Sequence, residues 1–141
     1  MVAYLDSSVL LEHVLKGDSA IYHVFECDSV ISSELLEIEC KRVVHRYRLE
    51  NILDDSGFLK AMDRIESIMK GLSLLRLSPK IKTRAAETFP LHVKPLDALH
   101  LSSALAYRDA RPDESIILFS YDRGFNRCAK ALGLPVPFFK E

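Results

Sequence analysis

Hydrophobic and polar positions follow two rhythms along this chain. Short unbroken apolar runs, Val2–Leu5 and the IILF core of SIILFS, are bounded by polar residues and are too short for helices. Between them apolar residues recur three and four places apart, the spacing of one helix face. Val2–Leu5 is therefore predicted as a buried strand. Ser7 or Ser8 caps a helix carrying Val9, Leu10, Val14 and Leu15, and Gly17 ends it. A short helix with Ile21, Val24 and Phe25 follows, then a strand over Ser29–Ser32. Ser33 caps a long helix from Glu34 to about Glu50. The next helix runs from about Gly57 to Lys70, with Leu59, Met62, Ile65 and Met69 on one stripe. Leu72–Leu77 is predicted as a strand. Ser78-Pro79 opens another helix, because proline suits the first helical position. The FPLHVKP loop leads to a helix from Leu96 or Asp97 to about Ala110. Arg111-Pro112-Asp113 forms a turn, Ser115–Ser120 a strand, and Arg123 to Leu132 a last helix stopped by Gly133. Val136–Phe139 is predicted as an edge strand.

Strands that alternate with helices, and that are apolar throughout, belong to a parallel sheet covered on both faces. The pattern predicts an α/β fold in three layers, α/β/α, with a central, mainly parallel sheet. No linker or low-complexity stretch divides the 141 residues, so one domain over 1–141 is expected. Right-handed crossovers put every strand's C-terminal end on one edge, where open α/β folds hold ligands.

Composition narrows the function classes. Nineteen basic and twenty acidic residues leave a net charge of −1, so any nucleic-acid contact must rest on local patches. Three cysteines, with no CxxC pair, point to reduced thiols in a cytoplasmic protein, used as small core residues. No apolar run approaches the roughly twenty residues of a membrane span, and no basic-then-apolar leader opens the chain.

The candidate chemistry lies in four acids expected on the ligand-bearing edge. Asp6 ends the first strand, Asp122 follows SIILFS by two residues, and Asp97 follows Pro95 at a helix start. Glu39 lies in the second turn of its helix with Leu35, Leu36 and Val43 as its helical neighbours. A glutamate inside such an apolar stripe is costly unless its charge is compensated. Each acid also has a plainer reading. Asp6 and Asp97 are good helix caps, Asp122 a turn residue, and Glu39 a partner for Lys41, Arg42 or Arg46. Together, four converging carboxylates call for a divalent cation. Oxygen-only donors select a hard ion, Mg²⁺ or Mn²⁺.

At these residues the sequence resembles the PIN-domain family, in particular VapC-like toxin ribonucleases of type II toxin–antitoxin modules. YLDSSVLL resembles the opening motif and places Asp6 as the first acid. VISSELLEIECKRVVHR resembles the second motif, with Glu39. KPLDALHLSSAL is the most specific match and gives Asp97. LFSYDRGFNRCAKALGLPV resembles the closing motif, giving Asp122, with Ser120 where a Thr or Ser supports the site. Some relatives carry a further acid soon after the closing Asp, and Asn126 stands in that region here.

The resemblance implies a Mg²⁺- or Mn²⁺-dependent endoribonuclease, usually a homodimer neutralised by a small antitoxin. Asp6, Asp97 and Asp122 are expected to hold the metal, and Glu39 to join them or orient the attacking water. Ser7 and Ser120 are candidates to support the carboxylates. Arg42, Arg46, Arg123 and Lys94 are candidates to guide RNA phosphates. His100, one turn after Asp97, reads as a packing or surface histidine, since a hard ion does not favour imidazole. Leu10, Leu11, Val14, Leu15, Ile21 and Phe25 are expected to exceed what one core can cover, leaving a groove for the antitoxin's helix. A non-catalytic binding module of the same fold is the alternative. A receiver- or phosphatase-like domain is disfavoured, because it requires paired acids near the first strand and a late lysine.

Overall fold

In the computed structural model, which describes residues 1–140, strand Val2–Leu5 (β1) leads into helices Ser7–Lys16 (α1) and Ile21–Phe25 (α2). Strand Ser29–Ser33 (β2) follows, then the long helices Leu35–Leu49 (α3) and Asp55–Met69 (α4). A short strand, Ser73–Leu75 (β3), precedes helices Pro79–Ala85 (α5) and Pro95–Ala110 (α6). Strand Ile116–Phe119 (β4) and helix Arg123–Ala131 (α7) complete the order.

The four strands form one parallel sheet in the order β3-β2-β1-β4. Tyr4 lies opposite Ile31 on one side and Leu118 on the other. Alternate side chains pass to opposite faces. Ala3, Leu5, Val30 and Phe119 pack in one core with Val9, Leu10 and Val14 of α1, Leu36, Cys40 and Val44 of α3, and Ile65 of α4. Val2, Tyr4, Ile31, Ile116 and Leu118 pack in a second core with Leu101 and Ala104 of α6 and Phe125 and Cys128 of α7. Strands buried on both faces explain the unbroken apolar runs. Each large side chain so buried contributes about 1.5–3 kcal/mol. The architecture is the expected three-layer α/β/α fold. Cys40 and Cys128 are buried free thiols and Cys27 is half-buried. Burial, helped by Glu39 and Asp6, pushes the Cys40 thiol far above its ordinary range, in keeping with an inert core residue.

Several local expectations change. Leu59 is 61% exposed, while Ala61 and Ile65 carry the inward stripe of α4 with Phe58, Met62 and Met69 beside them. Leu59 lies six residues from Ile65, about 120° around the helix, whereas Phe58 lies two turns away on the same face. Val136–Phe139 is not a strand. One bond, Leu118 N–H to the Pro135 carbonyl at 2.9 Å, ties this segment to β4. Pro135 and Pro137 have no N–H to extend a ladder. Phe138 instead packs edge-on against Phe119 and stacks on Tyr121. The expected apolar groove is largely filled. Leu10, Val14 and Ile21 are buried in the first core, Leu11 and Leu15 pack against it, and only Phe25 of that set is exposed. The side chain of Arg64 on α4 also closes over α1 by donating to the Val14 carbonyl at 3.0 Å.

Candidate active site

The strand order creates the site. The chain steps outward from β1 to β2 and β3, then returns across the sheet to place β4 on β1's other side. At such a switch point the chains leaving neighbouring strands diverge and open a crevice. Asp6 directly follows β1 and Ser120 directly follows β4 at this edge.

Asp6 is 4% exposed and is held by hydroxyls. Its Oδ2 accepts from Ser8 Oγ at 2.7 Å and from Ser120 Oγ at 2.7 Å, and more weakly from the Ser8 N–H as the cap of α1. Ser120 is the centre of this arrangement. Its Oγ also accepts from the Asp122 N–H at 3.0 Å, and its carbonyl accepts from the buried Asn126 side chain at 2.7 Å. Ser8 Oγ in turn accepts from the Tyr121 N–H at 2.9 Å. Among the described residues no protein donor bonds Asp6 Oδ1.

Asp122 is the N-cap of α7, with Oδ1 accepting the Phe125 N–H at 2.8 Å. Glu39, with its side chain 15% exposed, projects from α3 to meet the fully buried His100 of α6, whose Nε2–H donates to Oε1 at 2.5 Å. The other ring nitrogen of His100, Nδ1, is 2.7 Å from the Tyr4 hydroxyl. Three carboxylates thus have one oxygen tied to protein and the other without a protein donor among the described residues. Asp97 has neither tied. It lies in the first turn of α6, behind Pro95 at the first position, with the backbone of Lys94 as the cap.

Electrostatics link these groups. Burial, then the charges of Asp122 and Asp6, raise the Asp97 carboxyl from 3.8 to about 6, against the opposing pull of His100 and Lys94. The favourable dipole at the start of α6 does not overcome these effects. Burial opposes charge on His100, yet the hydrogen bond and charge of Glu39, with Asp6 and Asp97, hold its imidazole above its ordinary value. Burial raises the Tyr4 hydroxyl well above its ordinary value, with Asp6 and Glu39 adding to it.

The donor set suits a hard divalent cation. The acids offer oxygen atoms only, and like charges near one another need a counter-charge. Among the described residues no three such side chains are drawn close enough to hold a cation as they stand. The acids therefore form an open cluster, short of the closed cage that the sequence suggested.

The remaining sequence expectations divide. Ser120 supports the acids, but Ser7 makes no side-chain hydrogen bond among the described residues, and Ser8 takes the part expected of it. The first helical turn points the second serine, not the first, back at the cap. His100 is more than a packing residue, because it binds one of the acids. The capping reading of Asp6 is correct, and that of Asp97 is not, because Lys94 precedes Pro95 as the cap of α6. Asp122, read as a turn residue, caps α7. The caps at Asp6 and Asp122 are both compatible with a site, since each uses one oxygen. Among the cations, Arg46 is engaged by Glu50 at 4.0 Å and lies over Tyr47. Lys41 is paired with Glu37 and Glu66. Arg42, Lys94 and Arg123 are exposed and have no protein ion pair or hydrogen-bonded partner among the described residues. His45 packs edge-on against Phe58.

A model of the PIN domain family matches residues 3–131, a span that includes all four acids. The chain belongs to the PIN domain family. Two solved structures share the fold of this PIN domain. One is VapBC2 from Rickettsia felis bound to a DNA fragment from their promoter. It has 15% identity and a TM-score of 0.68, over 96% of this chain and 97% of that one. The other is VapBC-1 from nontypeable Haemophilus influenzae. It has 9% identity and a TM-score of 0.60, over 96% of each chain. No curated protein sequence matches the PIN domain described here. No helix among the described residues is long and apolar enough to cross a membrane.

Proposed function

We propose that this PIN domain is a divalent-metal-dependent endoribonuclease and the VapC-like toxin of a toxin–antitoxin pair. The observation that carries the reading is the cluster of Asp6, Glu39, Asp97 and Asp122 at the switch point of a parallel sheet. Three of these acids are braced through one oxygen and keep the other for a ligand. Membership of the family and the shared fold with VapBC structures support it.

In this reading Asp6, Asp97 and Asp122 hold Mg²⁺ or Mn²⁺, and Glu39 either joins them or orients the attacking water. When bound, the cation supplies Lewis acidity that activates water and offsets charge building on the phosphate. Ser120 and Ser8 fix the carboxylate of Asp6 by donating to one oxygen. Asp97, raised to about 6 and largely ionised at neutral pH, would gain a counter-charge from the cation. Arg42, Lys94 and Arg123 draw the RNA backbone toward an otherwise acidic cleft. A small antitoxin, a homodimeric assembly and a cytoplasmic setting belong to the same proposal.

The test is cleavage of single-stranded and structured RNA with Mn²⁺, followed by sequencing of the new 5′ ends, with Asp6→Asn as control. The parent should cut at defined positions. The variant should fold normally, because Asn can still accept from Ser8 and Ser120, yet lose at least about a hundredfold in rate. Equal cutting by both proteins, or none by the parent, overturns the reading.

A further inference from the structure

We propose that His100 is a positioning residue for Glu39: it grips one carboxylate oxygen from a sealed pocket and leaves Oε2 as the oxygen for the acid cluster, while Tyr4 fixes the ring. The inference rests on the metal-site part of the proposed function.

Three elements make the device. Tyr4 comes from β1, His100 from α6 and Glu39 from α3. Tyr4 and His100 are each 0% exposed, so neither ring reaches bulk solvent. A carboxylate only accepts, so Nε2 of His100 must carry the proton it shares with Glu39. Nδ1 then either accepts from the Tyr4 hydroxyl or donates to it, so the contact between the two is kept both ways. The Tyr4 and His100 rings also meet edge to face, with centroids 5.8 Å apart, which limits rotation of the imidazole.

The placement argues against a histidine that merely fills space. His100 is three residues after Asp97, so both lie on one face of α6. That face presents one acid to the cluster directly and controls a second through the imidazole. Glu39 needs such control. Its helix buries Leu36, Cys40 and Val44 in the opposite core, and an unanchored glutamate on its rim gives up side-chain entropy whenever it is recruited. Partners that hold a metal-binding side chain are typically worth about 10–100-fold in metal affinity.

The experiment is calorimetric titration of the full chain with Mn²⁺ in the absence of RNA. It compares the parent with Glu39→Gln, His100→Leu, His100→Gln, Tyr4→Phe and the double variant Glu39→Gln/His100→Leu. His100→Leu should weaken Mn²⁺ binding about tenfold, close to the effect of Glu39→Gln. His100→Gln keeps a side-chain N–H for Glu39 and should bind within about threefold of the parent. The double variant should bind no more weakly than Glu39→Gln, because the histidine acts only through the glutamate. Parent-like binding by His100→Leu, or losses that multiply in the double variant, overturn the proposal. If His100→Leu does not fold, Tyr4→Phe decides. Weakening by about threefold supports the clamp and no change refutes it. A parent that gives this pattern yet cuts no RNA overturns the nuclease reading and keeps the clamp. A parent that cuts RNA while the pattern fails overturns the clamp alone.

Discussion

Asp97→Asn should make the metal-free protein more stable at neutral pH while abolishing the proposed RNA cleavage. In the folded chain the Asp97 carboxyl is raised from 3.8 to about 6 by burial and by its neighbours Asp122 and Asp6. The native state therefore binds a proton more tightly than the unfolded chain does. Stability from this group is complete below about pH 4, falls as pH rises toward about 6, and stays lost above that. A fully sealed carboxyl with that displacement would cost about 3 kcal/mol. Asp97 keeps part of its surface in water, which screens it, so about 1–2 kcal/mol is the reasonable figure. The asparagine variant has nothing to ionise and escapes this cost. Urea unfolding in EDTA from pH 4.5 to 8 should show the two proteins converging at the acid end. At pH 7.5 Asp97→Asn should lead by about 1–2 kcal/mol, or about 3–7 °C in Tm. Saturating Mn²⁺ reverses the order, since a ligand at a hundred times its Kd adds about 2.7 kcal/mol to the protein that binds it. A difference that does not vary with pH, or a variant less stable than the parent at pH 7.5 in EDTA, refutes the electrostatic reasoning.

Two other outcomes follow from contacts already described. Ser120→Ala should lower Mn²⁺ affinity about tenfold and cost about 1–3 kcal/mol in urea unfolding, with Ser8→Ala affected in the same direction and Ser7→Ala within about 0.5 kcal/mol of the parent. Arg42→Ala and Arg123→Ala should each reduce the salt dependence of single-stranded RNA binding by about 0.7 in slope, read by fluorescence anisotropy in EDTA, with Mn²⁺ affinity unchanged.

The fold was legible because both strand faces are buried. Val2–Leu5 and Ile116–Phe119 had to be apolar at every position, and that pattern leaves little room for another architecture. Helix ends were legible wherever a small polar residue or a left-handed glycine marks them. Gly17, with φ of 70°, ends α1, and Ser78 accepts the Ile81 N–H to start α5. The misreadings have geometric causes. Leu59 looked like core because hydrophobicity alone does not assign an angle around a helix. Val136–Phe139 looked like a strand until its prolines are weighed as missing donors. Asp6, Asp97 and Asp122 stood out by their places at strand and helix ends, and Glu39 by its place in an apolar stripe of α3. His100 was not, because its importance arises from a contact with a residue 61 positions away. The one available signal was its place on the same face of α6 as Asp97. Ser8 and Ser7 are equivalent in sequence, and only the path of the first helical turn distinguishes them.

Placing β1 between β2 and β4 has a consequence for biosynthesis. β1 is flanked on one side by a strand that emerges more than a hundred residues after it, and Asp6 waits across 114 positions for the hydroxyl of Ser120. Any fragment that stops short of β4 has a bare central strand and an unbraced acid. Under the proposed function, a chain cut short within that interval should not cut RNA. For a chain proposed to attack RNA, destructive capacity matures only once β4 and Ser120 have left the ribosome and joined β1.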